Sequence, residues 1–251
     1  MKQTVYLPGG QFEWNLKHYH SLAIPFVTGD DHVNAWYVPP IEKKPFTMGD
    51  FVGSVASGSS VNFFDIKLNP HGNGTHTECL GHITKENESI KDVVIDPLIS
   101  AQLITIEPDQ KEGDLVISKE QIASKVDLTM PEALIIRTLP NTLEKLNKQY
   151  TGANPAYLSE EAALYIHDIG IKNLLIDTPS VDKEEDGGKL LAHKAFWGFH
   201  KTRRNDCTIS EMIFVPNDVL DGLYLLNLQV LPLENDASPS NPVIFPLTKV
   251  S

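Results

Sequence analysis

Apolar and polar positions alternate or cluster along this chain in a way that fixes most of its elements. From Asp50 to Leu68 the pattern is β-like, with Phe51-Val52-Gly53-Ser54-Val55 and Val61-Asn62-Phe63-Phe64-Asp65-Ile66-Lys67-Leu68 partly alternating. Two near-continuous apolar runs, Ala101-Gln102-Leu103-Ile104-Thr105-Ile106 and Ala133-Leu134-Ile135-Ile136-Arg137-Thr138, predict buried strands, with a short helix from Lys119 to Lys125 between them. Ser159-Glu160-Glu161-Ala162-Ala163-Leu164-Tyr165-Ile166 predicts a helix with Ser159 as its N-cap and acids in the first turn, ended by Gly170. The strand Lys172-Asn173-Leu174-Leu175-Ile176-Asp177 follows, and strand, helix, strand in that order predicts a βαβ crossover and an α/β fold class. Leu190 to Trp197 is expected to be helical, and Tyr224 to Leu231 and Val243-Ile244-Phe245 to be strands.

The first fifty residues are broken by Leu7-Pro8-Gly9-Gly10 and Val38-Pro39-Pro40, so an N-terminal arm with one or two strands is expected there. No repeat, low-complexity segment or linker interrupts the rest, and residues 1–251 are expected to form one domain. The formal charge of −12 argues against a nucleic-acid partner, since binding phosphates needs a basic field and none is gathered here. No stretch approaches the ~20 apolar residues of a membrane span. Met1 to Gly10 has no apolar run before its glycines, so no signal peptide is expected and a soluble cytoplasmic protein is. The two cysteines, Cys79 and Cys207, are too few for a disulfide framework, and Cys79 is expected to serve packing.

The candidate chemistry is concentrated in His71-Gly72-Asn73-Gly74-Thr75-His76-Thr77-Glu78-Cys79-Leu80-Gly81-His82, which holds three of the chain's nine histidines. If the chain runs extended from Gly74, His76 and Glu78 project from one face while Thr77 points away. The glycines and Asn73 let the chain fold back and bring His71 to the same place, with His82 one turn-like step later. Imidazole nitrogen together with carboxylate oxygen suits zinc, manganese or iron(II) better than calcium or magnesium. One loop alone would hold a metal weakly, so the remaining donors are sought elsewhere. His193 and Glu211 are the candidates, Glu211 being a lone acid in an apolar segment where burial without a cation is costly and a solvent-facing strand position is the alternative. His167 is placed on an amphipathic helix face and His200 in a charged loop. The basic cluster Lys201-Thr202-Arg203-Arg204 reads as a solvated loop, with an anionic group of a substrate as the alternative.

These segments resemble a family of metal-dependent hydrolases that includes bacterial kynurenine formamidases (arylformamidases), isatin hydrolases and cyclases. Its hallmark is His-x-Gly-Thr-His-x-Asp-x-Pro-x-His, and Gly74-Thr75-His76-Thr77-Glu78-Cys79-Leu80-Gly81-His82 follows the last nine positions. Ile176-Asp177-Thr178-Pro179-Ser180-Val181-Asp182, the segment from His193, Ile209-Ser210-Glu211-Met212-Ile213 and Asp236-Ala237-Ser238-Pro239 are similar to further family segments. The resemblance implies that His71, His76, Glu78, His193 and Glu211 hold one or two Zn2+ or Mn2+ ions, that Glu78 bridges them, and that His82 is the catalytic acid/base. It implies a mixed-sheet swivelling β/β/α-type domain, a homodimer or homotetramer, and a small-molecule substrate. The implied activity is arylformamidase-like cleavage of a small amide or formamide of the N-formylkynurenine type, as in tryptophan catabolism. The alternatives are an isatin hydrolase-like action on a lactam or lactone and a catalytically silent metal- or metabolite-binding protein.

The chain departs from the family pattern in definable ways. His71 lies one residue further from Gly74, so Asn73 is expected to be absorbed as a bulge; Glu78 replaces Asp and Leu80 replaces Pro. Extra residues between His193 and Glu211 make His200 a rival ligand. Asn241 stands where Arg is common, and Val27 where the formamidases carry a substrate-stacking Trp.

Overall fold

Side-chain alternation along the central strands sorts the apolar residues into two layers in the computed structural model, which describes residues 2–29, 31–86, 88–127 and 131–250. One layer, with Ile99, Ala101, Leu103, Ala133, Ile135, Leu175, Leu226 and Ile244, lies on one face of the sheet. The other, with Ile104, Ile106, Leu134, Ile136, Leu174, Ile176 and Ile209, packs against the helices Glu160–Asp168 and Leu191–Phe196. Residues one position apart therefore serve different cores. Each fully buried Leu or Ile contributes roughly 1.5–3 kcal/mol.

The sheet closes on itself. Its strands in chain order are β1 (His76–Glu78), β2 (Ile99–Ile106), β3 (Ala133–Thr138), β4 (Asn173–Ile176), β5 (Thr208–Glu211), β6 (Gly222–Val230) and β7 (Ala237–Pro246). Around the barrel they run β6-β2-β3-β4-β5-β1-β7, and β7 pairs back onto β6. The pairs β2–β3, β3–β4 and β4–β5 are parallel and the others antiparallel, so the fold is a mixed α/β barrel of seven strands. The first layer fills the barrel and the second lies under the helices.

The βαβ crossover forms as expected, with β3 and β4 parallel on either side of the helix Glu160–Asp168. Ser159 caps that helix by accepting from the Ala162 N–H at 3.1 Å. Gly170, at φ 86°, turns the chain out of it. The N-terminal arm is a hairpin of Lys2–Leu7 and Gly10–Asn15, joined by Thr248–Lys249. The strand expected at Phe51-Val55 is shorter, covering Phe51–Val52, because the Val55 N–H turns to Asn62 Oδ1 and Val55–Ser57 makes a 3-10 turn. Among the described residues no helix is long and apolar enough to cross a membrane.

Candidate metal centre

Strand β1 lies between β5 and β7, which decides where the motif points. His76 pairs with Glu211 and with Pro239, and Thr77 pairs with Ser210 and Ser238. Thr77 Oγ1 and Ser210 Oγ meet at 2.7 Å on the barrel side of the sheet. His76, Glu78 and Glu211 consequently share the opposite face, under the helix layer, and all three are buried. Thr75 locks the strand's start: its hydroxyl accepts from the Ile24 N–H at 2.7 Å and donates to the Met212 carbonyl.

His71 reaches the site from a helical turn, Pro70–Asn73, and the expected bulge at Asn73 is absent. Asn69 caps that turn by accepting from the His71 N–H at 2.9 Å, with Pro70 at the first helical position. The extra residue is absorbed helically: the Asn73 side chain accepts from the Asn69 N–H and donates to the Pro39 carbonyl. Gly72 is needed because a Cβ there would lie 2.4 Å from Val38.

His193 comes from the helix Leu191–Phe196, which begins at Leu190 in a left-handed conformation with no side-chain cap of its own. Asp182 caps it instead, accepting from the Ala192 N–H at 2.7 Å and the His193 N–H at 3.1 Å, with Oδ2 also 2.6 Å from His193 Nδ1. Trp197 stacks on the His193 ring with centroids 5.5 Å apart. Glu211 accepts from the Val181 N–H at 2.9 Å. It is buried, which sets aside the solvent-facing alternative for this position.

Distances within the cluster are short. His71 Nδ1 lies 2.6 Å from Glu78 Oε1 and its Nε2 lies 3.0 Å from Asp236 Oδ2. His76 Nε2 is 3.5 Å from Glu78 and 3.4 Å from Glu211. His193 Nε2 is 3.4 Å from Glu78 and 3.8 Å from Glu211. His82 Nδ1 is 2.9 Å from Asp236 Oδ2 and 3.8 Å from Glu78. His76 Nε2, Glu78 Oε2 and His193 Nε2 are fully buried and have no hydrogen-bond partner. Leaving such groups unsatisfied costs about 1–3 kcal/mol each. Three buried lone-pair donors aimed into one space are what a divalent cation would satisfy, and nitrogen with carboxylate oxygen fits zinc or manganese. Glu78 belongs to two donor groups, with His71 and His76 and with His82 and His193, each with ligand atoms within 4.8 Å of one another.

Burial works against charge on His71, yet hydrogen bonds to Asp236 and Glu78 lift it to about 10. Burial likewise opposes charge on His193, and the hydrogen bond to Asp182 with the nearby negative charge of Glu78 lifts it to about 10. Burial alone would raise Glu78; the neighbouring rings of His82, His193 and His76 and the hydrogen bond from His71 hold it well below the usual carboxylate range. A histidine raised above its unfolded value of ~6.5 adds stability that is complete below that pH and lost as pH climbs through its folded value. Metal-free chain is thus expected to lose stability between pH 7 and 10, while cation affinity rises over the same window because each imidazole must shed a proton to offer its lone pair. Zinc titration calorimetry at pH 7 in two buffers of different ionisation enthalpy checks this, with at least one proton released per ion; no release would contradict it.

A cleft of about 260 Å³ opens onto the cluster, with Trp36, Val38 and Leu190 as apolar wall and Lys183, Glu184 and Asp186 at its rim. His82 faces this cleft with 28% of its side chain exposed. His200 does not reach the site: it lines a different cleft with His167, Lys194 and Lys201, so of these two it is His193 that joins His76 beside Glu78 and Glu211. The basic cluster stays away too. Arg204 donates to the Ile171 and Phe196 carbonyls, and Arg203 lies 3.4 Å from Glu86. Cys79 is buried, and burial pushes its thiol up to about 11, in keeping with packing.

Two site residues lie outside the sequence-derived set, Asp182 and Asp236. Each falls in a segment that resembles the family, and each is an acid beside Ser and Pro in turn-like composition, which signals a fixed loop but no partner.

A family-wide sequence profile described as Putative cyclase matches residues 16–183. No protein of curated function matches the chain at a significant level. Among solved structures, the chain is similar to a predicted metal-dependent hydrolase from Bacillus stearothermophilus (TM-score 0.64, 18% identity, 90% of this chain and 97% of that one). It is similar also to isatin hydrolase A from Labrenzia aggregata bound to benzyl benzoate (TM-score 0.65, 14% identity, 90% and 93%). A third is an isatin hydrolase bound to the product analogue thioisatinate (TM-score 0.64, 12% identity, 92% and 94%). At these identities the likeness is one of fold.

Proposed function

Because the chain belongs to the Putative cyclase family, we propose that it is a metal-dependent hydrolase of a small carbonyl compound, with His71, His76, Glu78, His193 and Glu211 as the metal ligands. The observation that carries this reading is the convergence of three buried, unpartnered donor atoms, His76 Nε2, Glu78 Oε2 and His193 Nε2, beside a cleft. A bound zinc or manganese ion supplies Lewis acidity there and brings the pKa of water from ~15.7 toward ~7.

The chain's own groups do the rest. His82 sits at the cleft with Nδ1 engaged by Asp236, which leaves its other nitrogen to take a proton during attack and return it to the leaving nitrogen or oxygen. Glu211 is held by the Val181 N–H and His193 by Asp182, so neither ring nor carboxylate needs to reorganise. The apolar wall of Trp36, Val38 and Leu190 suits a flat ring next to the reacting carbonyl.

At the finer level we read the activity as arylformamidase-like, on an aryl formamide of the N-formylkynurenine type. Hydrolysis of a lactam is the second reading, favoured by the fold shared with two isatin hydrolases. Purified protein loaded with zinc or manganese, assayed on N-formylkynurenine, isatin and a simple lactone, tests both. The expected result is bound metal and turnover of at least one amide or lactam. Bound metal with no turnover on the whole panel would leave a binding protein, and no bound metal would overturn the metal-centre reading itself.

A further inference from the structure

We propose that Asp236 is a positioning residue that fixes the ring tautomers of two histidines at once, presenting Nδ1 of His71 to the metal and Nε2 of His82 to the cleft. The proposal rests on the metal-hydrolase reading and adds to it the atom through which each of these rings acts.

An ionised carboxylate can only accept hydrogen bonds. Asp236 Oδ2 lies 3.0 Å from His71 Nε2 and 2.9 Å from His82 Nδ1, so both of those nitrogens carry hydrogen. The same rule places a hydrogen on His71 Nδ1 in the metal-free chain, since that atom lies 2.6 Å from Glu78 Oε1, and that proton is the one that a cation would replace while Asp236 keeps the hydrogen on Nε2.

The other two histidine ligands are fixed in the opposite sense. His76 Nδ1 is tied at 3.0 Å to the Gly74 carbonyl, and His193 Nδ1 at 2.6 Å to Asp182, leaving Nε2 of both rings toward Glu78 and Glu211. Every proposed histidine ligand thus has its second nitrogen anchored, and His71 alone is turned to use Nδ1. Asp236 itself is held rigidly. Its carbonyl accepts from the Cys79 N–H at 2.9 Å, the preceding Asn235 carbonyl accepts from Ile90 and from Ser89, and Ala237 begins the strand that pairs with Glu78. One backbone anchor therefore sets a ligand and an acid/base group that stand 165 and 154 residues away in the chain.

Long-range 1H–15N spectra of histidine-labelled, zinc-loaded protein at pH 7 test this. In wild type His71 should be zinc-bound through Nδ1 with hydrogen on Nε2, and His82 should carry its hydrogen on Nδ1. In Asp236→Ala the His82 hydrogen should redistribute toward Nε2, zinc affinity should fall about 10–100-fold, and kcat on whichever panel substrate wild type accepts should fall at least about tenfold with KM within about threefold. Asp236→Asn, whose amide oxygen can still accept, should restore much of each. Glu234→Ala, at an exposed acid of the same loop, should change none of them. Coordination of His71 through Nε2, hydrogen on Nε2 of wild-type His82, or a direct zinc bond to Asp236 would each overturn the proposal. If Asp236→Ala fails to fold, the wild-type spectrum decides, since it alone identifies the nitrogens. Should zinc bind with no substrate turned over, the hydrolase reading fails while the tautomers still decide this one. Should zinc not bind at all, the His71 assignment falls with the metal centre, and the His82 tautomer of the metal-free chain settles the remainder.

Discussion

Glu78→Gln is expected to weaken zinc binding by at least about 100-fold, measured by equilibrium dialysis at pH 7. The substitution keeps the shape of the side chain and removes only its charge and one acceptor oxygen. That charge faces His71, His76, His82 and His193 from the middle of the cluster, at N–O distances from 2.6 to 3.8 Å. Among the described residues no other acid touches all four: Asp236 serves His71 and His82, and Glu211 serves His76 and His193. The same change should destabilise the metal-free chain by about 3 kcal/mol at pH 6, because it leaves buried positive charge without its counter-ion. The penalty should shrink toward pH 9, because above ~6.5 the unfolded histidines are neutral and taking up their protons on folding costs progressively more. Urea unfolding at the two pH values reads the difference. Wild-type zinc affinity in this variant, or a stability loss independent of pH, would remove Glu78 from the centre of the site.

The short-range part of this site was legible in the sequence because strand alternation is a local rule. Placing His76 and Glu78 on one face and Thr77 on the other requires only that three residues be extended, and they are. The turn carrying His71 was also encoded locally, in Asn69 as cap and Pro70 at the first helical position, although the glycine-rich composition pointed to a loop and a bulge. Glu211 was ambiguous for a different reason. A lone acid on a strand reads as solvent-facing, and nothing local reveals that the outer face of this barrel lies under a helix layer. Barrel closure itself, through β6 and β7, depends on pairings distant in sequence, so the pattern yielded strands and a crossover without their order. The roles of Asp182 and Asp236 were out of reach for the same reason. An acid in a turn shows its partner only when the chain has folded, and Asp236 finds His82 across 154 residues.

The contrast between His82 and its neighbours gives the other large effect. The side chains of His76 and His193 are 0% and 2% exposed, with single unpartnered nitrogens pointing inward, whereas His82 is 28% exposed and opens to the cleft. It rides on the 3-10 turn Leu80–Ile83, which cannot relax, since the His82 N–H bonds to the Cys79 carbonyl and a Cβ on Gly81 would lie 1.9 Å from the Glu88 carbonyl oxygen. A rigid, accessible imidazole beside a buried donor cluster is placed to move a proton to and from substrate. His82→Ala is therefore expected to lower kcat by about 10²–10⁴-fold, with KM within a few-fold and zinc or manganese content at the wild-type level. The metal measurement is what separates the two roles open to this ring, because His82 also lies within ligand distance of Glu78 and His193. Loss of bound metal together with activity would make it a ligand, and an unchanged kcat would remove His82 from the proton transfer.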